Sequence, residues 1–477
     1  RDSDLGPLGG IANEAGIRRQ IRMLKDMGCN AIRTSHNMPA PELIKACDEM
    51  GMMVMAESFD EWATAKVQNG YHTVFGEWAE KDIVNLVRHF RNNPSVVMWC
   101  IGNEVPDQWA GDKGPKLSLW LQNICHREDP TRPVTQGMDA PDAVVNNNMA
   151  AVMDVPGFNY RPFKYIENYK KLPQEIILGS ETASTISSRG VYKFPVVRRS
   201  MPKYPDHQSS SYDVEHCGWS NLPEDDFIQH EDLPYCIGEF VWTGFDYLGE
   251  SWGWPGRTNN YGIIDLAGFE KDHYYLYQSL WSDEPMVHVL PHWTHPGKEG
   301  VEIPVVVYTN GDAAELFYNG KSLGRKDMHR DSLQIVWNVP YRLGTIKAVA
   351  YKDGRVIASC SHKTAGKAYS LKLTADRKTM KSNRKDVVFV TVDVTDKKGN
   401  FVPYANVDVD FEVKGDYKLI GVENGDVLDI APHKVLHRKT FNGKALLILQ
   451  ATDNAGRLRI QAKSPGLKSS SVEINVI

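Results

Sequence analysis

The sequence lacks the features that would place it among several specialised classes of protein. The sequence contains no run of about 18 apolar residues, which is the length that a transmembrane helix needs, so no membrane partner is expected. Neither sign of charge dominates: the formal net charge is -5 and the pI is near 6.3, which gives no electrostatic reason to expect nucleic acid. The 477 residues predict a soluble globular protein with a small-molecule or carbohydrate-sized partner.

Cysteine is scarce, and its seven residues are scattered without a CxxC pair. This spacing indicates neither a disulfide framework nor a thiolate metal site, and we predict no metal and no cofactor. The first residues, "RDSDLGPLGG", contain no apolar segment of a secretory signal and no initiator Met. We therefore expect the chain to be a piece of a longer protein.

Residues 13 to about 282 alternate amphipathic helices with short apolar strands. One helix opens at Asn13 as its N-cap and ends at Gly28, and a second, "PELIKACDEMG", ends at Gly51. The predicted strands are 29–36, 52–58, 95–103, 133–138, 154–160, 176–181 and 235–246. Apolar strands alternating with helices favour an α/β fold of the (β/α)8 TIM-barrel type, and a count of seven strands suggests that the first strand is lacking.

The pattern changes after residue 283 to strands with period-two alternation, separated by turn dipeptides such as Asn319-Gly320 and Asp353-Gly354. A second all-β block follows from about residue 367. We predict three domains: a (β/α) barrel over 1–283 and two immunoglobulin-like β-sandwiches over 284–366 and 367–477.

Polar side chains follow several predicted strands, where the loops of such a barrel form a cup. The run "VVMWCIGNE" ends on Asn103 and Glu104. The other residues at strand ends are Arg33, His36, Glu57, Asp60, Glu61, Asn159, Tyr160, Glu181, Trp242 and Asp246. Two carboxylates can cleave a glycosidic bond, Trp242 offers an apolar face to a sugar ring, and Asn103 offers a donor to a ring hydroxyl. The pattern predicts a sugar site.

Other interpretations of these residues stay open at this point. Glu104 can be a salt-bridge partner, and His36 can be a structural histidine. The cluster "ESFDEW" can be a divalent metal site or a solvated loop. The residues alone leave the second carboxylate open among Glu57, Glu181 and Glu239.

Several stretches occur in an order that resembles glycoside hydrolase family 2, particularly its β-galactosidase-like members: "NAIRTSHNMPAPELIKACDEMGMMVMAESFDEW", "NPSVVMWCIGNE", "ILGSE" and "VWTGFDYLGE". The resemblance implies that Glu104 is the acid/base and Glu181 the nucleophile of a retaining double displacement. Glu104 should then have the less polar environment of the two. The substrate-binding residues that follow from the resemblance are Arg33, His36, Asn103, Tyr160, Trp242 and Asp60, with Tyr160 as a hydrogen-bond partner of the nucleophile.

The expected function is that of a retaining exo-β-glycosidase, with a β-galactosidase as the first choice. The alternatives are a β-glucuronidase or β-mannosidase of the same family, or a non-catalytic carbohydrate-binding protein on this scaffold. No clear Asn-x-Lys signature for a glucuronate carboxylate is found, and no Gly-rich cradle for a phosphorylated substrate. The family's N-terminal domains are expected to be missing here, the protein is expected to be periplasmic or secreted, and a homo-oligomer is possible.

Overall fold

The computed structural model describes residues 4–251, 255–329 and 331–477. Two compact units make up the chain. The first contains Cys29–Thr185 and His216–Trp242, and the second contains the segment ending at Gly28 together with Ile186–Glu215 and Thr243–Ile477. The three domain ranges proposed from the sequence stay a prediction.

The first unit contains a sheet of seven parallel strands whose neighbours follow chain order. Its strands are β1 (Ala31–Arg33), β2 (Met53–Glu57), β3 (Val96–Asn103), β4 (Val134–Met138), β5 (Val155–Asn159), β6 (Ile177–Ala183) and β9 (Cys236–Trp242). A short ribbon of β7 (Arg199–Ser200) and β8 (Glu215–His216) lies between β6 and β9 in the chain.

The two end strands of this sheet approach each other at their carboxyl ends. His36, just after β1, stacks on Trp242, the last residue of β9, with ring centroids 5.2 Å apart. The sheet is therefore a nearly closed barrel of seven strands, and the predicted fold class is confirmed. Among the described residues, no helix combines the length and the hydropathy needed to cross a membrane.

The helices of the first unit are α2 (Pro41–Met50), α3 (Phe75–Phe90), α4 (Lys113–Glu128), α5 (Pro141–Asn146), α6 (Tyr165–Tyr169) and α7 (Pro223–Glu231). The second unit holds α1 (Glu14–Asp26) and α8 (Asp272–Trp281). Short 3-10 helices cover Gly6–Leu8, Tyr71–Thr73, Pro106–Trp109 and Pro162–Lys164. The two predicted helix ends are confirmed: the Asn13 side chain accepts a hydrogen bond from the Gly16 amide at 2.9 Å, and Gly51 caps α2 with a left-handed φ of 72°.

The central barrel strands are largely apolar because most of their side chains are buried. On β3, Trp99, Cys100 and Ile101 are fully enclosed, and Cys100 belongs to a core cluster with Met55 on β2 and Val155 on β5. A parallel sheet with one face toward helices and the other toward the barrel interior leaves little room for polar side chains. Polar side chains are therefore concentrated toward the strand ends, although β4 also buries Thr135 and Gln136 in its interior.

The second unit contains two β-sandwiches. In the first, the sheet β10 (Val287–Leu290), β11 (Glu302–Thr309), β14 (Ile335–Pro340) and the sheet β12 (Ala313–Tyr318), β13 (Lys321–Asp327), β15 (Thr345–Lys352), β16 (Arg355–Lys363) share one core. Asn319-Gly320 and Asp353-Gly354 join their hairpins with positive φ at both positions, as predicted.

The second sandwich likewise has two sheets around one core. One sheet contains β17 (Ser370–Ala375), β19 (Val387–Thr395), β21 (Tyr417–Glu423) and β23 (Lys444–Ala451). The other contains β18 (Thr379–Met380), β20 (Asp408–Lys414), β22 (His437–Lys439), β24 (Gly456–Lys463) and β25 (Ser470–Val476). Inward-facing valines and leucines of β19 and β23 fill much of the space between the sheets.

The last barrel strand is shorter than predicted. The sequence prediction extended it to Asp246, but β9 ends at Trp242, and residues from Thr243 onward belong to the second unit. There Asp246 is fully buried and forms an ion pair of 2.9 Å with Lys271. The segment "FVWTGFDY" remains rich in aromatic residues beyond Trp242, so nothing in the sequence marks the end of the strand.

Candidate active site

Arg33, at the end of β1, is the centre of the polar network in the barrel cup. Its guanidinium donates to both oxygens of Glu57, to Glu181 Oε2 at 2.7 Å and to Asn103 Oδ1 at 2.9 Å. The side chain is 4% exposed. Burial alone would favour the neutral form, but the charges of Glu57 and Glu181 raise the pKa of Arg33. A fixed cation therefore lies between two carboxylates.

Glu57, at the end of β2, is completely buried and already has two partners. It pairs with Arg33, and its Oε1 lies 2.8 Å from His36 Nδ1. Burial would raise the pKa of Glu57, but the neighbouring Arg33 and His36 hold it below its ordinary value. Glu57 is thus a buried anion that orients Arg33 and His36, and it is poorly placed to serve as the second reacting carboxylate.

Glu181 lies within β6 and has a donor on each carboxylate oxygen. Arg33 donates to Oε2, and the Tyr160 hydroxyl donates to Oε1 at 2.5 Å. Burial and the charge of Glu181 raise the pKa of Tyr160 far above its ordinary value, so the phenol keeps its proton. The two donors hold the Glu181 carboxylate in one orientation, as a nucleophile requires.

Glu104 follows β3 directly and turns into the cup with a left-handed φ of 43°. Its amide donates to the Gly137 carbonyl at 2.8 Å, and its Oε1 accepts from Asn159 Nδ2 at 3.0 Å. Burial, followed by the negative charges of Glu181 and Asp139, raises the pKa of Glu104 to about 8. Glu104 therefore carries a proton at neutral pH.

Two asparagines connect the two candidate carboxylates. Asn103 Oδ1 accepts from Arg33 and from Asn159 Nδ2, at 2.9 and 3.0 Å, and the same Asn159 amide donates to Glu104. Ser180 Oγ fixes the other end of Asn159 by donating to its Oδ1 at 2.7 Å. Glu104 and Glu181 are thus parts of one hydrogen-bonded network that comprises residues from β1, β3, β5 and β6.

The remaining predicted binding residues line the same cup. The His36 and Trp242 rings lie nearly parallel, 3° apart, and form an aromatic wall. Asp60 is half exposed and accepts from Asn103 Nδ2 at 3.0 Å and from Lys66 Nζ at 2.9 Å. The structure therefore brings all eight candidate residues into one polar network with an aromatic side, which can present hydrogen bonds and a ring face to one sugar.

The sequence interpretation missed two residues near Glu104. Asp139 directly follows β4, and the buried Gln108 donates to its Oδ1 at 2.8 Å. The strand-end rule that selected Glu104 also applies to "VTQGMD", so this signal was available. Lys66 donates to the Asn103 carbonyl at 2.7 Å from a long loop, where nothing in the sequence distinguishes it from other surface lysines.

Three other acidic candidates have structural partners. Glu61 accepts hydrogen bonds from backbone amides of its own loop, including that of His72 at 2.9 Å. Glu239 accepts from the Thr182 hydroxyl at 2.9 Å, and burial raises its pKa to about 7. Burial likewise raises the pKa of Asp246, paired with Lys271, to about 7. Within 4–251, 255–329 and 331–477, no group of three or more His, Cys, Asp or Glu is arranged to hold a metal ion.

The site combines two carboxyl groups in contrasting environments, one protonated and one held by a cation and a phenol. Such a pair can supply an acid and a nucleophile to the two sides of one scissile bond. The Asn and Trp side chains beside it suit a neutral, hydroxyl-rich ligand.

Comparisons with known proteins agree with this chemistry. The model described as "Glycosyl hydrolases family 2, TIM barrel domain" matches residues 8–248. "Glycoside hydrolase family 2 C-terminal domain 5" matches residues 371–473, and a domain of unknown function matches residues 300–358.

Individual relatives match most of the chain. The β-galactosidase BoGH2A of Bacteroides ovatus is 39% identical over 99% of the chain, and a β-glucuronidase of Bacteroides fragilis is 24% identical over 71%. The crystal structure of a β-glycosidase from Bacteroides vulgatus superposes with a TM-score of 0.91 at 36% identity over 99% of the chain. The chain spans 60%, 48% and 62% of these three proteins, respectively.

Proposed function

Because the chain belongs to glycoside hydrolase family 2, we propose that the protein is a retaining exo-β-glycosidase that releases terminal β-linked galactose. The observation that carries this proposal is the contrast between Glu104 and Glu181. Glu104 is protonated at neutral pH, and Glu181 receives a hydrogen bond from a cation and another from a neutral phenol. These are the two roles that a double displacement requires.

In the first half-reaction, a Glu181 oxygen attacks the anomeric carbon, and the bond from that carbon to the leaving oxygen breaks. Glu104 donates its proton to the leaving oxygen, so the leaving group departs as a neutral alcohol. Arg33 and Tyr160 hold the Glu181 carboxylate in place during the attack. The product is a glycosyl ester on Glu181 and an ionised Glu104.

In the second half-reaction, Glu104 takes a proton from water, the water oxygen attacks the anomeric carbon, and the bond from that carbon to Glu181 breaks, which releases the sugar with its original configuration. Esterification removes the negative charge of Glu181, which is one of the causes of the raised pKa of Glu104. The pKa of Glu104 therefore falls when the ester forms, which favours the ionised base at the step that needs it.

The sugar-binding roles follow from chemical type. Asn103 and Asp60 can hydrogen-bond ring hydroxyls, and Trp242, stacked on His36, offers an apolar face to the ring. We assign galactose because the relative of 39% identity is a β-galactosidase, whereas a putative β-glucuronidase of Formosa agariphila is 34% identical and the β-glucuronidase of Bacteroides fragilis is 24% identical. We also propose that the protein acts in the periplasm or outside the cell.

Turnover of a panel of nitrophenyl β-glycosides tests the proposal. We expect the galactoside to be hydrolysed fastest, with the anomeric configuration retained by NMR. The Glu181→Gln variant should lose at least about 10³-fold in kcat while still binding galactose, because it retains shape but not the nucleophile. Preference for the glucuronide or mannoside would reject the assigned sugar. Sugar binding without turnover in the wild type would indicate a binding protein instead.

A further inference from the structure

The backbone turn that follows the candidate nucleophile has an unusual conformation. Ala183, the last residue of β6, and Ser184 after it both have positive φ, of 62° and 66°. Residues with a Cβ seldom adopt this left-handed region, and two in succession persist only where the surroundings hold them. The turn lies two residues after Glu181, so its geometry bears on the site.

Hydrogen bonds from three sides hold this turn. The Asp226 carboxyl accepts from the Ala183 amide at 2.7 Å, and the Ser184 amide donates to the Trp242 carbonyl at 3.1 Å. The Ser184 carbonyl accepts from the Ser220 hydroxyl, also at 3.1 Å. Asp226 and Ser184 are both buried. The position of the Ser184 side chain is therefore fixed by the fold and not by the side chain's own preference.

The Ser184 hydroxyl points to the phenol that contacts the nucleophile. Ser184 Oγ donates to the Tyr160 hydroxyl oxygen at 3.0 Å, and Tyr160 donates to Glu181 Oε1 at 2.5 Å. A phenol has a single O–H proton. When its oxygen accepts a hydrogen bond from Ser184, the phenol proton is directed toward the Glu181 carboxylate. Successive hydrogen bonds of this kind also polarise and strengthen one another in a buried site.

We propose that Ser184 is a positioning residue for the nucleophile, which acts through Tyr160 by directing the phenol proton to Glu181. This inference rests on the proposed function, because it assigns a role within the same reaction. Tyr160 itself donates to the nucleophile, whereas the Ser184 hydroxyl donates to Tyr160. Without Ser184, the phenol loses a donor and is free to rotate, and Glu181 loses the partner that fixes Oε1.

Two variants of Ser184 separate the hydroxyl from the backbone. Ser184→Ala removes the hydroxyl, and Ser184→Gly removes it while allowing the positive φ without strain. We expect both to lower kcat about tenfold, which corresponds to the loss of one buried hydrogen bond, with KM changed less than about twofold. Ser220→Ala is the matched control: it removes a hydroxyl that donates to the Ser184 carbonyl and not to Tyr160. That carbonyl still accepts from the Cys217 amide at 3.1 Å, so kcat should stay within about twofold of the wild type.

A double-mutant cycle with Tyr160→Phe provides the decisive test. If Ser184 acts through the phenol, Ser184→Ala should lower kcat by less than about twofold when it is introduced into the Tyr160→Phe variant. The rate of inactivation by a 2-deoxy-2-fluoro β-galactoside, which reports the attack of Glu181 alone, should follow the same pattern. The proposal would be overturned if the kcat losses of Ser184→Ala and Tyr160→Phe multiplied in the double variant. It would also be overturned if Ser184→Gly had the wild-type kcat.

The two proposals fail in different ways. A wild-type protein that hydrolyses no β-glycoside, or a Glu181→Gln variant with undiminished turnover, would refute the proposed function. Only the role of Ser184 would be refuted if the wild type were active, the Glu181→Gln variant were inactive, and Ser184→Ala and Ser220→Ala lowered kcat equally. Thermal melting of every variant separates a loss of folding from a loss of rate.

Discussion

The pH dependence of turnover follows from the environment of Glu104. The first half-reaction needs the protonated form of this group, whose pKa burial and two negative neighbours raise to about 8. Above that pH the active fraction falls tenfold per unit, to about a tenth at pH 9 and about a hundredth at pH 10. We therefore expect kcat/KM for a galactoside with a poor leaving group to have an alkaline limb near pH 8.

Substitution at Asp139 tests the cause of this limb. Asp139→Asn removes one of the negative charges that raise the pKa of Glu104, and so the alkaline limb should move to lower pH. The amide can still accept the hydrogen bond that Gln108 donates, which preserves the local packing. The assay is kcat/KM of an alkyl galactoside, followed by the galactose released from pH 5 to pH 10, with Asp142→Asn, at an exposed carboxylate of α5, as the matched control.

Two results would refute this reasoning. An alkaline limb at the same pH in the wild type and the Asp139→Asn variant would show that the charge does not reach Glu104. A limb that persists in Glu104→Gln, measured with a dinitrophenyl galactoside that needs no acid assistance, would show that another group titrates.

Three further predictions concern other parts of the molecule. Arg33→Lys should lower kcat/KM about 10²-fold, because an ammonium has three donors on one nitrogen and cannot replace the five hydrogen bonds that the planar guanidinium donates to Glu57, Glu181, Asn103 and the Ser180 carbonyl; steady-state kinetics test it, and less than a fivefold loss would contradict it. Burial lowers the pKa of His295 to about 4, so protonation of this ring below pH 6.5 favours the unfolded state; the loss of unfolding free energy from pH 7 to pH 5, measured in urea, should be about 2 kcal/mol smaller in His295→Gln than in the wild type, and equal losses would contradict this. Asn13→Ala removes the cap of α1 and should cost about 1 kcal/mol, whereas Asn13→Asp should cost less; equal unfolding midpoints for all three proteins would contradict this role.

Much of the fold follows from the periodicity of the sequence. The barrel strands are continuous apolar runs, and the cap residues Asn13 and Gly51 lie where the helices begin and end. The turn dipeptides of the first sandwich also have the backbone that their residues favour. These features are local, so the residues that produce them are adjacent in the sequence.

The site could be predicted in part. The strand-end rule found Glu104 because an apolar strand stops at a carboxylate, but it found Glu57, Glu181 and Asp246 equally well. Contacts between residues far apart in the chain distinguish these groups. Glu57 is paired with Arg33 and His36, and Asp246 is paired with Lys271. Pairings between residues far apart in the chain have no signature in a single sequence, and only the resemblance to a family chose Glu181.

The contacts that adjust the site were also hidden. Lys66 and Asp139 act on Glu104 through space, and their charges count only because the barrel brings three loops together. The turn at Ala183 and Ser184 uses residues that do not favour a left-handed backbone, so propensity points away from it. At this turn, tertiary hydrogen bonds outweigh the local preference of the backbone.

The central claim is that Glu104 and Glu181 divide the work of one double displacement. The most direct measurement is a crystal structure after reaction with a 2-deoxy-2-fluoro β-galactoside carrying a dinitrophenyl leaving group. We predict an ester between the anomeric carbon and Glu181, with the Glu104 carboxyl beside that carbon on the opposite face from the ester bond. An ester on Glu57, Glu239 or any other side chain, or a Glu104 turned away from the sugar, would contradict the account.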